Sequence, residues 1–577
     1  KASDHLESLT LKGSLALYQK QFDQFEQVAQ KVLQINPAYS RFYTQAGEAL
    51  AKRYLFKEAV GMFQKALALN PQDAEAHAGL GTTLSRLAKL APAKAELEKA
   101  FKLDPYNVWT GNLLSLFDSY VDYDTLRTAH FVIRLHKQDR PILGPYAAAL
   151  AERAYAAMVP RYKVKLDLPV HIEIFPKHDD FAVRCFGLPG SQVFLGICFG
   201  PLVTMNSPRA RPLGTFNWSE TLWHEFAHVV HLTLTQNRVP RWLAEGISVY
   251  ETTRANPAWA MNMQPAIIRA IQEDDLIPLA KLDRGFTGDP RRVTFSYYQA
   301  SLMVQFIVQR YGFNTLLQLL DAFKHNQETP QAIKSTLGMN LKDFDKEFLR
   351  YLKKSFPYQQ IDFGKKLAEL VEDKKPSRLL LKKVLDQNPK LYFVQLRYAK
   401  SLIDDNEFEK AIPILEQALQ RFPEFVGPDN PYKLLALSYL SIGDTSKAMQ
   451  RLLQLIRRDG KNYQAAIQLA GLARNAGRPD LEQEALVTAN QVYPYNLEIH
   501  RRLGEIFLQK QQAEEAVREF KVLLALNPMD KASAHCSLAE ALLLAHKKKE
   551  ANRHVLKALE IAPTYPRAQA ILLKTVQ

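Results

Sequence analysis

The feature that most constrains the fold is a set of prolines that recur every 34 residues near the start of the chain. Asn36-Pro37, Asn70-Pro71 and Asp104-Pro105 each follow an amphipathic segment with a similar ending, LQINP, LALNP or FKLDP. Proline ends a helix, and a constant period of this length indicates stacked helical pairs. The first part of the chain is therefore predicted to be a helical array.

Small residues repeat at the same interval, at the positions where two helices must approach closely. They are Gly47, Ala59 and Ala66 in one repeat and Gly81, Ala93 and Ala100 in the next. Phe63 and Leu97 are the large residues expected between the helices. This pattern resembles the tetratricopeptide family, and residues 1–118 are predicted to hold about three such repeats.

A second array is predicted over residues 363–577. Pro389 and Pro423 are 34 residues apart, as are Pro494 and Pro528, and Pro563 follows one residue late. About six further helical pairs are expected. Repeats of this kind bury their apolar faces against each other and form a curved solenoid, whose concave face is available to a protein partner.

The stretch between the arrays, residues 119–362, has a different pattern. In LPVHIEIFP, Val170, Ile172 and Ile174 alternate with polar residues, which predicts a half-buried strand. More strand is expected at Gln192–Cys198 and at Pro201–Met205, and the chain is helical after Asn217. The predicted fold is mainly α, with two solenoids flanking an α+β domain.

A metal site is predicted in NWSETLWHEFAHVVH, which begins with Asn217 as a helix cap. His224 and His228 are four residues apart, so their imidazoles project from one helix face and can reach one ion about 2 Å from each nitrogen. Glu225 lies about 100° around the helix. That position suits a general base rather than a third ligand.

Glu245 is the candidate for the third ligand. It lies in PRWLAEGISVYE, on a second helix that is predicted to begin near Arg241 after a break at Gln236–Pro240. The sixteen residues between His228 and Glu245 allow the second helix to return beside the first. Three protein ligands leave one position open for water, as in catalytic zinc sites.

HEFAH followed by WLAEG resembles the gluzincin clan of zinc peptidases, and most closely the bacterial peptidase-MA-like proteins related to aminopeptidase N and thermolysin. The resemblance covers roughly residues 130–350 and implies a thermolysin-like domain. It also implies that His224, His228 and Glu245 bind Zn²⁺ and that Glu225 is the catalytic base in metal-assisted hydrolysis.

A tyrosine that stabilises the oxyanion is a further expectation from this resemblance. FSYYQASLMVQFIVQRYG is similar to the tyrosine-bearing segment of aminopeptidase-N relatives, and aligning Ala300 with the small residue of that motif selects Tyr297. A shift of one residue selects Tyr298 instead. In the alternative interpretation, both are packing aromatics.

The expected activity is that of an endopeptidase acting on peptide or protein substrates. Aminopeptidase-N relatives grip the substrate amino terminus with a GxMEN strand, which is missing from GICFGPLVTMNS at Gly196–Ser207. That stretch could instead be an edge strand to which an extended peptide adds. The alternative hypothesis is a tetratricopeptide scaffold whose central domain has little catalysis.

Other residues with metal-binding side chains have simpler explanations. His231 comes too soon after His228 for the longer metzincin pattern and is expected to pack or to face solvent rather than to bind the metal. Cys185 and Cys198 are expected to be buried thiols. Glu251 could orient a ligand histidine or face water, and the sequence does not separate these alternatives.

The net charge of +15 is shared among the N-terminal, central and C-terminal thirds, with no basic arm that predicts nucleic-acid binding. No apolar run is long enough for a transmembrane segment. The chain begins with Lys1, which is compatible either with removal of a signal or with trimming. An extracytoplasmic location is favoured over a cytoplasmic one, because bacterial relatives of this arrangement are often extracytoplasmic.

Overall fold

The computed structural model describes residues 5–576 except 20, 191–193, 264, 357, 359 and 364–375. Most of these residues are helical, and the strands form one five-stranded sheet in the middle of the described chain. The predicted mainly α class, with helical arrays on both sides of a small sheet, is confirmed.

The N-terminal array consists of α1 to α7. Their bounds are Leu6–Tyr18, Phe22–Ile35, Arg41–Lys52, Phe56–Leu69, Ala74–Arg86, Leu90–Leu103 and Val108–Asp118. The predicted close approaches occur within the pairs. A Cβ added to Gly47 would lie 2.7 Å from the Phe63 ring, and one added to Gly81 would lie 2.6 Å from Leu97. Glycine at these two positions leaves space for the large side chain of the other helix in the pair.

The sheet has the strand order β1-β2-β3-β5-β4. In chain order, β1 to β5 are Tyr123–Arg127, Phe131–His136, Val170–Phe175, Gly196–Cys198 and Leu202–Asn206. Strand β3 pairs in parallel with both β2 and β5, whereas β4 pairs antiparallel with β5. One edge of the sheet is therefore β4, whose predicted start at Gln192 lies outside the described residues.

The prediction that β3 is half-buried was wrong, because both of its faces are covered. Glu173 points away from the apolar core but is only 4% exposed. Its carboxylate accepts hydrogen bonds from Arg134 Nη1 at 2.6 Å and from Arg184 Nε at 2.7 Å. The alternation of Glu173 with apolar residues predicted that one face of the strand contacts solvent. In the structure Glu173 instead forms a buried ion pair.

Ten helices of the described chain accompany the sheet, and α10 and α11 are central to the site. In order, α8 to α17 are Arg140–Tyr162, His178–Phe186, Trp218–Thr235, Arg241–Ala255, Pro265–Gln272, Leu279–Leu282, Pro290–Tyr311, Phe313–Lys324, Thr329–Leu337 and Leu341–Ser355. Helix α10 packs on α8, α11 and the β4–β5 side of the sheet. The apolar core of this central domain includes Phe131, Ile172, Met205 and Phe226.

The C-terminal array consists of α18 to α29. Their bounds are Arg378–Gln387, Tyr392–Asp404, Phe408–Arg421, Pro431–Ser441, Thr445–Ile456, Tyr463–Asn475, Pro479–Asn490, Leu497–Gln509, Ala513–Ala525, Lys531–Leu544, Lys548–Ile561 and Pro566–Val576. Five consecutive pairs, α19/α20 to α27/α28, stack in sequence, and α18 and α29 pack on their ends. None of the helices described in either array or between them is long and apolar enough to span a membrane.

Both arrays hold the ends of α10. At its start, Asn217 Nδ2 donates to the Gly460 carbonyl at 2.9 Å, and Trp218 Nε1 donates to the Asn490 carbonyl at 3.1 Å. Just beyond its end, Asn237 Nδ2 donates to the Tyr54 carbonyl of the N-terminal array at 2.9 Å. The helix predicted to carry the metal site is therefore fixed between the two arrays.

Candidate metal centre

Helix α10 begins and ends as the sequence predicts. The Asn217 side chain accepts from the backbone N–H groups of Ser219 and Glu220 at 3.0 and 3.1 Å, which satisfies two donors of the first turn. Gln236 ends the helix in the left-handed region with φ of 51°. Helix α11 begins at Arg241 and packs beside α10.

The structure brings together the three predicted metal ligands. His224 Nε2 and His228 Nε2 lie 3.2 Å apart, and the distances from Glu245 Oε2 to these nitrogens are 3.5 and 3.2 Å. Ligand atoms held at about 2 Å around a tetrahedral metal are about 3.3 Å from one another. The spacing of the three donors therefore suits a single ion.

The electrostatics of Glu245 also suit a cation. Its Oε2 atom is buried and, among the described residues, faces the imidazole nitrogens of His224 and His228 without a well-aligned hydrogen bond. Burial disfavours the carboxylate, but the imidazoles of His228 and His224 outweigh burial and hold the pKa of Glu245 well below its usual range. A buried carboxylate oxygen that lacks a well-aligned donor is costly, and a metal ion among the three ligands would remove that cost.

Glu225 occupies a different side of α10 from the two histidines. It is 6% exposed and lies against β4, where Gly196 leaves room for its carboxylate. Burial raises the pKa of Glu225 to about 8; the His224 imidazole opposes this shift and the Glu245 carboxylate adds to it. Such a group can accept and release a proton near neutral pH.

Tyr297, on α14, reaches the same site. Its ring centroid is 6.5 Å from that of His224, and it packs edge-on against Phe286. Its hydroxyl lies near the guanidinium of Arg241, at the start of α11, which opposes the rise in the tyrosine pKa that burial causes. Tyr298 does not line the cleft described below and packs between the core of the central domain and that of the C-terminal array.

Gly246 explains how α14 comes so close to the ligand helix. A Cβ added at this position would lie 2.7 Å from the Ala300 carbonyl oxygen. The small residues Gly246 and Ala300 therefore allow α11 and α14 to approach with their backbones nearly in contact. Tyr297 precedes Ala300 by about one turn and is brought to the site by this packing.

The side chains of the three predicted ligands line a cleft of about 440 Å³. Gly196, Ile197 and Cys198 of the edge strand β4 form one side. Lys52 and Tyr54 of the N-terminal array, with Arg53 between them, form another side. This contribution cannot be predicted from the sequence, because nothing in the local pattern of a repeat shows which turn contacts another domain.

The remaining candidates are structural. His231 is fully buried with its Nε2 3.3 Å from Ser248 Oγ, and Cys185 and Cys198 are buried free thiols, as predicted. Both alternatives for Glu251 were wrong. It is buried and paired with Arg161 and Arg254, and the hydroxyl of Tyr162, at the end of α8, also donates to its carboxylate.

Known family models match three stretches of the chain. Residues 213–354 match the Peptidase MA superfamily, and residues 74–107 and 402–470 match tetratricopeptide repeats. The chain contains a Peptidase MA superfamily domain between repeat arrays. Helices α10, α11 and α14 lie within the matched Peptidase MA region, which confirms the predicted resemblance at the level of the superfamily.

Similarity to solved structures is low. YrrB, a TPR protein with an unusual peptide-binding site, is 18% identical, with 34% of this chain and 98% of YrrB covered and a TM-score of 0.25. TTC0263, a thermophilic TPR protein of Thermus thermophilus, is 23% identical, with 32% of this chain and 98% of TTC0263 covered and a TM-score of 0.17. A chain in the structure of Naa15/Naa10 bound to HypK-THB is 11% identical, with 99% of this chain and 96% of that chain covered and a TM-score of 0.21. No curated protein matches the sequence.

Proposed function

We propose that this protein is a zinc-dependent endopeptidase of the gluzincin type. The observation that carries the proposal is the convergence of His224, His228 and Glu245, whose ligand atoms all lie within 4.8 Å of one another, beside the buried Glu225. Two imidazole nitrogens and one carboxylate oxygen are a donor set of catalytic zinc sites.

Zinc held by these three residues would supply Lewis-acid chemistry, by polarising the substrate carbonyl and lowering the pKa of water. Glu225 takes the proton of the attacking water and later delivers it to the leaving amine nitrogen. The Tyr297 hydroxyl donates a hydrogen bond to the oxyanion that develops on the substrate. Arg241 lies beside the Tyr297 hydroxyl and orients the phenol.

The position of β4 supports binding of an extended peptide. This strand is an edge of the sheet, and its residues Gly196 to Cys198 line the cleft. An extended chain can add to such an edge through backbone hydrogen bonds, which are independent of the substrate's side chains. A peptide in that place would bring a backbone carbonyl beside the proposed zinc ligands.

The charges in the cleft support endopeptidase action. Among the described residues that line it, the only carboxylates are Glu225 and Glu245. Both are assigned to the chemistry, so neither is available to bind the free amino terminus of a substrate. An aminopeptidase needs an acidic group for that purpose. The repeat arrays, in this proposal, recruit protein substrates or partners.

The test combines metal analysis with cleavage of an unfolded protein such as reduced and alkylated serum albumin. The purified protein is expected to hold one zinc ion per chain and to cleave this substrate, to lose activity with a chelator and to regain it when zinc is restored. Glu245→Gln should hold much less zinc. A zinc-loaded protein that cleaves neither albumin nor a broad peptide library would instead favour the scaffold function.

A further inference from the structure

A second groove lies beside the cleft, along the N-terminal array. It has a volume of about 660 Å³ and is formed by the first helices of successive pairs, α3 and α5, together with α7 and the end of α9. Lys52 and Phe186 line both the groove and the cleft. The two spaces are therefore adjacent.

The groove belongs to neither domain alone. Asn112 Nδ2, on α7, donates to the Gly187 carbonyl at 2.9 Å, and Arg86 Nη2, on α5, donates to the Cys185 carbonyl at 3.3 Å. A Cβ added to Gly187, whose φ is 77°, would lie 2.7 Å from the Trp109 side chain. These contacts join the end of α9 to the array and fix the width of the groove.

The groove presents two acidic groups close together. Glu48 is half-buried and Glu75 is exposed. Burial raises the pKa of Glu48; nearby Lys52 opposes the shift and the charge of Glu75 adds to it. Arg86 does not offset these carboxylates in the open groove, because its guanidinium is stacked on the rings of Phe56 and Phe199.

Apolar side chains stand beside these charges. Trp109 is 57% exposed and Phe186 is 39% exposed, although both are large apolar side chains. A polypeptide would supply apolar side chains for the two rings and a basic side chain for the carboxylates.

We infer that the groove binds the part of the substrate that extends beyond the scissile bond, as an unfolded segment with basic and apolar side chains. The inference rests on the proposed peptidase function, which places the scissile bond in the adjoining cleft. Because the groove adjoins the cleft, a longer substrate can reach both, and cleavage efficiency depends on substrate length. Selection of the substrate is thereby built into the repeat array.

The experiment compares two quenched fluorescent substrates. One is a cleavable peptide of about eight residues, which spans about 26 Å when extended. The other is the same peptide lengthened at either end by a segment that contains Lys, Arg and Leu. The variants are Glu75→Lys and Trp109→Ala in the groove, with Tyr106→Ala as the matched control, because Tyr106 is 92% exposed and does not line the groove.

The groove variants are expected to lower kcat/KM for the long substrate about five-fold or more, as loss of an interface anchor does, and to leave the short peptide unaffected. Tyr106→Ala should match the parent on both substrates. A further long substrate carries Glu in place of the basic residues of the extension. This replacement should lower cleavage by the parent protein more than it lowers cleavage by the Glu75→Lys variant. Equal effects on long and short substrates would overturn the inference.

Binding separates this inference from the proposed function. The fluorescent long and short peptides are titrated against the complete Glu225→Gln chain by anisotropy. Tighter binding of the long peptide, weakened by Glu75→Lys, supports the groove even where no cleavage is found. Equal binding of the two peptides contradicts the groove, whether or not the parent protein is an active peptidase.

Discussion

Gly196 lies directly against Glu225. A Cβ on Gly196 would stand 2.7 Å from both Cγ and Oε1 of the glutamate. The proposed base on α10 can therefore lie against the edge strand only because Gly196 has no side chain. Because the atoms that would clash are in a flexible side chain, a larger residue at position 196 would displace the carboxylate rather than the backbone.

Gly196→Ala is expected to lower kcat about a hundred-fold, because a displacement of about 1 Å in a catalytic group has an effect of that size. The zinc content should not change, since Glu225 is not a ligand in this account. Steady-state kinetics and metal analysis check the two parts. Gly61→Ala is the matched control, because a Cβ at Gly61 meets nothing within 4 Å. Unchanged kcat in Gly196→Ala would show that the position of Glu225 does not limit the reaction.

Tyr297→Phe removes the hydroxyl proposed to donate to the oxyanion. We expect kcat to fall about a hundred-fold, with little change in KM, because the hydrogen bond strengthens only in the transition state. Tyr298→Phe serves as the control, since this neighbour does not line the cleft. If the two variants had equal activity, the role proposed for Tyr297 would be wrong.

Glu173→Gln tests the buried ion pair beneath the N-terminal array. The change leaves Arg184, which is 3% exposed, without a charged partner, and we expect it to destabilise the fold by about 3 kcal/mol. Thermal and urea unfolding measure the loss. Asp167→Asn is the control, because its partner Lys57 and Asp167 are both highly exposed, and it should not move the melting temperature.

The same ion pair should make stability depend on pH. Burial disfavours the Glu173 carboxylate, but Arg184 and Arg134 outweigh burial and lower its pKa below the ordinary value of 4.5. Its contribution is therefore complete above pH 4.5 and is lost as the pH falls towards the lower pKa of the folded state. The difference in melting temperature between parent and Glu173→Gln should narrow in acid. A constant difference would contradict the assignment.

Local periodicity predicted most of the architecture. The proline spacing and the small residues Gly47 and Gly81 predicted the helical repeats. Close contact between two helices needs small side chains in any repeat, whatever the rest of the fold. The cap at Asn217 and the four-residue spacing of His224 and His228 depend on helix geometry within a few residues. Their placement with Glu245 needed only one further helix to return beside the first.

Features that depend on contacts between distant segments could not be predicted in this way. The alternation around Glu173 looked solvent-facing, because the sequence does not show that Arg184 and the N-terminal array cover that side. Tyr54 lines the cleft through the docking of one repeat turn. For the same reason the sequence left Tyr297 and Tyr298 as alternatives, which lie in different surroundings in the structure.

The most direct test of the central claim is zinc content and peptide turnover measured together for the parent protein and for Glu225→Gln. The account predicts equal zinc in both, because Glu225 lies against β4 rather than among the ligands. It also predicts that turnover of an unfolded protein substrate falls by at least about a thousand-fold in the variant. Among the described residues that line the cleft, the other carboxylate is Glu245, which is a proposed zinc ligand. A variant that holds zinc and cleaves as fast as the parent would contradict the account.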